Sequence, residues 1–405
     1  MKVLVKPATS PHGCNGIFPV LNSLEISGAS RLKEIFHGEL PTQSLNELKC
    51  LKLRFLPALT YIWKTKSQSD QWFLLRNILG LIQVLKIEEC ESLEEIVAFE
   101  DDEEEINFQS LTELTLSSLS SFTGITKSTS KEAERLPEDS RSEQSDAAII
   151  LSVLAALSPE SNVSRQSLFH TKVPLQSLFD SKVHFPVLTK LEIRSMNLKG
   201  IWNIQLSAES FCELKSLRVK ECRELLYLVP THMQNRLRKL DSISVTYCAS
   251  LEEIFEHRKL IVDDAGDAAA VPVSESENQG MQINKMMSFK QSHQDFQNLS
   301  VLSVDFCNKL RTLIPPSIAR GLVKLQSLVI NNCWKIEEIV AAVEGEETED
   351  DIMFPQLRTL SLCSLYNLGS FSQGKYNFKW PLLEDIGIIN CYKMKNQDPS
   401  AYQGK

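Results

Sequence analysis

The stretch Leu217-Arg218-Val219-Lys220-Glu221-Cys222 is followed one repeat later by Ile243-Ser244-Val245-Thr246-Tyr247-Cys248. The shared unit is an apolar residue, one spacer and a second apolar residue. It recurs eleven times, and the spacing from Leu217 to Ile243 is found in four of the ten steps between successive units. Side chains two residues apart lie on one face of a β-strand, so each unit is predicted to be a short strand. The units begin at Leu24, Leu51, Leu85, Leu114, Leu191, Leu217, Ile243, Leu302, Leu328, Leu360 and Ile386.

A single short strand of this kind cannot bury its apolar face alone. It needs equivalent strands beside it and a layer of side chains behind it, which a stacked solenoid supplies. The pattern therefore predicts an α/β fold, a leucine-rich-repeat solenoid or horseshoe. Its concave side is expected to be a parallel β-sheet, and its convex side irregular or short-helical.

The second half of the best-preserved repeats has its own pattern, a Leu/Ile-Glu-Glu-Ile-Val/Phe segment three residues after a cysteine. Apolar residues at i, i+3 and i+4 favour one helical or 3₁₀ turn behind the core. The paired glutamates are then expected to lie in water as a solvated face. The segments are Leu93–Val97, Leu251–Phe255 and Ile336–Val340.

Cysteine occupies the position after the strand in six repeats, where a thiol can donate weakly to a loop carbonyl. Leu56, Leu119, Met196 and Leu365 take this position elsewhere and cannot make that bond. Cysteines one repeat apart lie on successive coils, so they do not form a tetrahedral zinc site. We expect buried, reduced thiols at Cys90, Cys222, Cys248, Cys307, Cys333 and Cys391.

The repeats run almost end to end, but two segments interrupt them. Residues 124–184 are rich in Ser, Lys, Glu and Gln and are predicted to be a disordered insertion or hinge. Residues 262–295 also lack the repeat pattern and are predicted to be an exposed loop. The repeats are then expected to occupy residues 1–123, 185–261 and 296–395, followed by a tail, 396–405.

The net charge of −9 is concentrated in two acidic runs, each between a Glu-Glu-Ile-Val segment and the phenylalanine of the next repeat. Equivalent repeat positions stack in register, so both runs are predicted to leave one edge of the solenoid. That acidic edge comprises Glu100, Asp101, Asp102, Glu103, Glu104, Glu105, Glu346, Glu347, Asp350 and Asp351. The alternative is that these loops have no specific partner and only aid solubility.

The outward residues of the strands form the candidate partner-binding face. Arg194, Arg218 and Lys220 should cluster, because their strands are one repeat apart. Acids are interspersed with the bases, which argues against nucleic acid as a partner. Trp and Tyr near the strand ends are candidate anchors, although Trp63 and Trp202 are expected in the convex core. The predicted binding residues are Lys52, Arg54, Lys86, Glu192, Arg194, Arg218, Lys220 and Asp305.

Other classes of function find little support in the sequence. No Ser/His/Asp set, Gly-rich phosphate loop or metal triad is apparent, so we expect no enzyme, no cofactor and no metal site. The longest apolar stretch, 147–157, is too short to span a bilayer. The N-terminus does not resemble a signal peptide. A cytoplasmic or nuclear location is therefore expected.

Several motifs together resemble the leucine-rich region of plant disease-resistance proteins, most closely the coiled-coil, nucleotide-binding, leucine-rich-repeat receptors. Repeats open with Phe18-Pro19-Val20-Leu21, Phe185-Pro186-Val187-Leu188 and Phe354-Pro355-Gln356-Leu357. Others close with Leu59-Thr60-Tyr61-Ile62-Trp63 and Leu198-Lys199-Gly200-Ile201-Trp202. The resemblance covers most of residues 18–395.

The resemblance implies a role in plant innate immunity. The partner would be a pathogen effector, a guarded host protein, or the nucleotide-binding domain of a related receptor, bound through the concave strands. The coiled-coil and nucleotide-binding parts are not in this sequence, so a truncated receptor product without signalling activity stays open. So do an F-box-type substrate adaptor and a purely structural scaffold.

Overall fold

The structure is a computed structural model that describes most of the repeat-bearing chain. The described residues are 3–5, 16–36, 39–66, 69–99, 104–126, 177–179, 181–256, 296–342, 351–374 and 376–394. The predicted loop 262–295 and the predicted tail 396–405 lie outside them, as do residues 127–176 of the predicted insertion.

Eleven five-residue strands form one parallel sheet, and each corresponds to one apolar-x-apolar unit of the sequence. Neighbouring strands pair in register, so that Leu191 lies between Leu114 and Leu217. Numbered in chain order, the strands are β2 Ser23–Ser27, β4 Cys50–Arg54, β6 Val84–Glu88, β9 Glu113–Ser117, β12 Lys190–Arg194, β14 Ser216–Lys220, β16 Ser242–Thr246, β18 Val301–Asp305, β20 Ser327–Asn331, β23 Thr359–Cys363 and β25 Asp385–Ile389.

Burial follows the predicted alternation along these strands. Leu51 and Leu53 of β4 are fully buried, whereas Arg54 is exposed. The sheet is also continuous across both breaks in the repeat pattern. Leu114 pairs directly with Leu191, and Ile243 pairs directly with Leu302. Neither break therefore separates the sheet into domains.

The opposite side of the core carries short strands, which pair two by two and parallel. Most follow a sheet strand within the same repeat and supply the second buried layer. They are β1 Val3–Val5, β3 Glu34–Phe36, β5 Tyr61–Thr65, β7 Glu95–Phe99, β8 Ile106–Asn107, β10 Ser177–Phe179, β11 Val183–His184, β13 Gly200–Trp202, β15 Tyr227–Val229, β17 Glu253–Phe255, β19 Thr312–Ile314, β21 Glu338–Val340, β22 Asp351–Met353 and β24 Asn377–Lys379.

The predicted helical turn in the Leu-Glu-Glu-Ile-Val segments is wrong, because these segments end in strands β7, β17 and β21. The adjacent coil supplies their hydrogen bonds: Ile96 N–H and Val97 N–H both donate to the Ile125 carbonyl. The expectation that both glutamates lie in water is also wrong. Glu95 and Glu338 are buried, and Glu338 accepts from the Ala342 and Gln373 N–H groups.

Three helices are described, all following a convex strand. The longest, α1 (Asp70–Leu81), begins after Ser69, whose hydroxyl accepts from the Trp72 N–H at 3.1 Å. A capping side chain of this kind satisfies an otherwise free helical donor. The helix packs its Trp72 side chain edge-on against Phe99. The other two are single turns, α2 (Thr231–Gln234) and α3 (Pro316–Ala319).

The predicted disordered insertion 124–184 is too long at its C-terminal end. Within it, β10 pairs with β13, and β11 pairs with β8. The Phe179 side chain is buried and packs against Trp202 and Phe211. This aromatic burial explains why Ser177–Phe179 is ordered into the repeat despite the polar composition around it.

The slot two residues after each strand from β4 onward is buried, as predicted for its cysteines. Each of the six thiols donates to the carbonyl two residues before it, at 3.2–3.6 Å, so the acceptor lies in the same coil. Successive coils are also linked through sulfur, because the Cys307 N–H donates to the Cys333 Sγ at 3.3 Å. All nine cysteines in the described part of the chain are free thiols.

Candidate binding face

The outward positions of the sheet form aligned rows, because the strands pair in register. In the middle row, Lys52 lies between Glu25 and Lys86, and Glu192 lies beside Arg218. In the last row, Arg54 lies beside Glu88, and Arg194 lies beside Lys220. Seven of the eight predicted binding residues therefore lie on the six strands from β2 to β14, which we call the charged face.

Every base on the charged face has a carboxylate within 4 Å. The Arg54 Nε lies 2.7 Å from Glu88, and the Lys52 Nζ lies 3.8 Å from Glu25. Glu113 lies between two lysines, 3.5 Å from Lys86 and 3.8 Å from Lys190. Most of these side chains are more than a third exposed, so each pair contributes little to stability.

Arg194, Arg218 and Lys220 are neighbours, as the spacing predicts, but acids neutralise the cluster. The Glu192 carboxylate accepts from the Arg194 Nε at 2.7 Å and lies 3.6 Å from Arg218. Its side chain is only 8% exposed, so both guanidinium groups are needed to offset its burial. Sequence spacing alone could not reveal that a buried carboxylate organises these bases.

Lys220 belongs to a second small network at the end of β14. Its Nζ lies 3.1 Å from Glu221, which also accepts from the Ser195 hydroxyl at 2.6 Å. These two hydrogen bonds, the Ser195 bond first, hold the pKa of the exposed Glu221 carboxyl below its ordinary value. Glu221 was not among the predicted binding residues, because it lies in the turn after β14 and outside the strand pattern.

Asp305 does not join the other predicted binding residues. It lies in β18, separated from β14 by β16, and its carboxylate accepts from the Asn332 amide at 3.0 Å. The five strands from β16 to β25 carry no lysine or arginine, and their only acids are Asp305 and Asp385. The sheet therefore divides into a charged half and a nearly uncharged half.

The uncharged half has an unpredicted feature, which we call the aromatic edge. One aromatic side chain lies next to the buried slot after the strand in each of five consecutive coils. Four of the five are 42–72% exposed. The sequence signal is an aromatic residue directly beside Cys248, Cys307, Cys333, Leu365 or Cys391. The aromatic edge comprises Tyr247, Phe306, Trp334, Tyr366 and Tyr392.

Trp63 and Trp202 do not contribute to that edge. Both lie in convex strands and are at most 6% exposed, which confirms their predicted place in the core. The Trp202 indole N–H donates to the Leu228 carbonyl at 2.7 Å. The two tryptophans thus lie in convex strands, whereas the aromatic edge lies in the turns after the sheet strands.

Three residues of the predicted acidic edge are described. Glu105 lies 3.5 Å from the His184 imidazole, and the Asp351 carboxylate accepts from the Lys379 ammonium. The Lys379 hydrogen bond holds the pKa of the Asp351 carboxyl below its ordinary value. Glu104 is also described, whereas Glu100, Asp101, Asp102, Glu103, Glu346, Glu347 and Asp350 lie outside the described residues.

The two acidic runs have equivalent surroundings in the fold. One connects β7 to β8 and the other connects β21 to β22. In both cases a convex strand precedes the run, and a strand leading to a buried phenylalanine, Phe108 or Phe354, follows it. The described flanks of both runs therefore lie at the same position of the repeat.

Within the described ranges, no group of three or more His, Cys, Asp or Glu side chains could hold a metal ion. None of the described helices has the length and hydropathy needed to cross a bilayer.

No curated protein sequence matches this chain. Among solved structures, the plant peptide hormone receptor RGFR1 in complex with RGF2 aligns at 12% identity. That alignment covers 92% of this chain and 71% of the receptor chain, with a TM-score of 0.14.

A family model does match, and its description is plant disease resistance protein RPS2-like, leucine-rich repeats. The match comprises residues 187–334 and 273–401, which together are more than half of the chain. These segments include the sheet strands from β12 to β25. The chain therefore belongs to the leucine-rich-repeat family of RPS2-like plant disease resistance proteins.

Proposed function

We propose that this chain is a non-catalytic protein-recognition solenoid of plant innate immunity that acts in the cytoplasm. It binds a pathogen effector, or a host protein that an effector modifies, across the charged face of its concave sheet. The observation that carries the proposal is the alignment of seven bases and their acids on six adjacent strands. Aligned charges on a rigid sheet select a partner by electrostatic complementarity.

Ion pairing within the face shapes how a partner binds. An exposed pair can exchange its internal carboxylate for one on the partner at little cost, because surface pairs are weak. Arg218 is half exposed and lies 3.6 Å from Glu192, so its guanidinium retains donors for a partner's carboxylate. Arg194 is held more tightly by the same carboxylate and serves to position Arg218.

The test is a pull-down from extract of pathogen-challenged plants. Changing Arg194, Arg218 and Lys220 to Glu would crowd carboxylates around the buried Glu192 and unfold the site. We therefore neutralise the cluster instead, with Glu192→Gln, Arg194→Gln, Arg218→Gln and Lys220→Gln. A matched control neutralises one acid and three bases that lie outside the strands, Glu213, Lys239, Lys324 and Arg358.

The expected result is a protein that the unmodified chain and the control capture but the neutralised variant does not. Circular dichroism must show that both variants keep their β-sheet signal. Equal capture by all three forms would contradict recognition through the charged face. Absence of any partner specific to challenged tissue would favour a receptor product without recognition activity.

The acidic edge supports a second contact, with the nucleotide-binding domain of a related receptor in cis or in trans. The described flanks of the two acidic runs support this proposal, because each run follows a convex strand and precedes a buried phenylalanine. A contact between these acids and a basic surface should weaken as salt increases. Binding that is insensitive both to salt and to changing residues 100–105 to Gln or Asn would exclude it.

A further inference from the structure

We propose that the aromatic edge is a separate docking site for a proline-rich peptide in the polyproline II conformation. The proposal goes beyond the function above, because it concerns the uncharged half of the sheet and a partner without charge. It rests on the spacing of the rings, the closed hydrogen bonds beneath them and the donors that they leave exposed.

The five rings form two groups along the coils from β16 to β25: Tyr247 and Phe306 lie directly before the buried slot, and Trp334, Tyr366 and Tyr392 directly after it. Tyr247 and Phe306 are stacked, with centroids 4.5 Å apart and planes within 7°. Tyr366 lies 6.3 Å from Trp334 and 6.0 Å from Tyr392, and the two tyrosine planes are within 3° of parallel. Exposed rings in such a series are flat apolar platforms with polar tips.

In the turns after β16, β18 and β20, the main-chain donor beside the rings already pairs with the next coil. The Tyr247 N–H donates to the Asp305 carbonyl at 3.0 Å, and the Phe306 N–H donates to the Asn331 carbonyl at 3.2 Å. The Asn332 N–H donates to the Cys363 carbonyl in the same way. At these three turns a peptide cannot add as a β-strand, because strand addition requires free main-chain donors.

Side-chain amides at the edge are also engaged within the protein. The Asn367 amide donates to the Trp334 carbonyl at 2.7 Å, and the Asn308 carbonyl oxygen accepts from the Trp334 N–H at 3.3 Å. The Asn332 amide donates to Asp305. These bonds hold the rings in place and leave few groups for the hydroxyls of a carbohydrate. The partner must bind mainly through the ring faces.

A polyproline II helix fits these conditions. It has no internal hydrogen bonds, and aromatic surfaces recognise it through ring contacts while its carbonyls stay available as acceptors. Within the described chain, the Trp334 indole N–H and the Tyr366 hydroxyl have no protein partner and can donate to them. The two coil steps from Trp334 to Tyr392, at about 4.8 Å each, span roughly 10 Å, which about three residues of polyproline II cover.

Trp334 provides the probe for the test. It is 47% exposed, whereas Trp63, Trp72, Trp202 and Trp380 are at most 6% exposed, so acrylamide quenches Trp334 selectively. The full chain is titrated with decaproline, and an alternating Gly/Ser decapeptide serves as the control ligand. We expect saturable protection from quenching with decaproline alone. That protection should be unchanged between 50 and 500 mM salt, because no ion pair forms.

Two variants locate the site. Tyr366→Ala with Tyr392→Ala removes two platforms but keeps the probe, and decaproline should bind about tenfold more weakly. Phe55→Ala is the matched control, since Phe55 is 53% exposed and follows β4 as Tyr247 follows β16. It should bind decaproline as the unmodified chain does. So should the Gln-neutralised charged-face variant, which separates this proposal from the one above.

Several results would overturn the proposal. They are equal protection by the Gly/Ser peptide, no saturable protection, or the same loss in the Phe55 variant. Protection by cellopentaose in place of decaproline would assign the edge to carbohydrate. Protection that rises with protein concentration alone, together with a dimer in sedimentation, would assign it to a second copy of this chain.

Discussion

At the scale of single residues, burial governs the chemistry of the thiols. Burial raises the pKa of Cys90 to about 11 and that of Cys222 to about 12, because a thiolate is poorly solvated inside the core. Burial likewise raises the pKa of Cys391. The Cys90 and Cys222 thiols therefore stay protonated at pH 8 and at pH 9, and they are unreactive because the thiolate is the reactive form.

Alkylation with iodoacetamide at pH 8 should therefore distinguish two classes of cysteine. Cys50, Cys212 and Cys363 are partly exposed and should react in the native protein. The six cysteines of the slot should react only after the chain is unfolded in denaturant. Timed labelling followed by peptide mass spectrometry measures both classes in one experiment. Rapid native labelling of Cys222 would show that the slot opens.

At the scale of elements, every strand of the long sheet is followed by a left-handed residue. Gly28 is the only glycine among the eleven, and Phe55, with φ of 53°, is typical of the others. In ten of the eleven turns this N–H donates to a carbonyl of the next coil, as from Phe55 to the Glu88 carbonyl at 3.1 Å. A residue other than glycine costs roughly 1 kcal/mol in this conformation, so the inter-coil hydrogen bond must offset that strain.

Substitutions at Phe55 should reveal the strain. Phe55→Val should be less stable than Phe55→Gly by about 1–2 kcal/mol, because a β-branched residue is a poor fit at positive φ. The same pair at Lys52, in the middle of β4, should show the opposite order, since strands favour valine over glycine. Urea unfolding monitored by circular dichroism gives both differences. The same order at both positions would argue against a strained turn.

The elements also show where sequence reasoning succeeds and fails. Strand β4 could be predicted because Leu51 and Leu53 alternate with polar residues, and a period of two has one interpretation. Strand β7 could not, because Leu93, Ile96 and Val97 follow the i, i+3, i+4 pattern of a helix. The segment forms a strand because Ile96 and Val97 donate to the Ile125 carbonyl on the next coil, a contact that the local pattern does not encode.

The candidate site was predictable to the same degree. The repeat spacing from Leu191 to Leu217 placed Arg194 beside Lys220, because register follows from the repeat. The burial of Glu192 between two arginines depends on side-chain geometry that spacing does not encode. The aromatic edge was visible beside the cysteine slot, but its exposure depends on which way the turn points.

At the scale of the whole molecule, the sheet crosses the longest gap in the repeats without a missing strand. All five residues of β9 pair with β12, from Glu113 with Lys190 to Ser117 with Arg194. On the convex side, Gly124 and Leu178 are also close together. A Cβ added to Gly124 would lie 3.9 Å from the Leu178 carbonyl oxygen. The two sides of the gap are therefore already adjacent in the folded repeats.

Replacing residues 128–175 with a six-residue Gly/Ser linker should therefore leave the solenoid folded. The free energy of unfolding should change by less than about 2 kcal/mol, because loop length enters only logarithmically. As a contrast, Leu191→Asp puts an unpaired charge in the buried row of β12 and should abolish cooperative unfolding. Urea titration followed by circular dichroism measures both variants. Loss of the β-sheet signal in the linker variant would show that residues 128–175 hold β9 and β12 together.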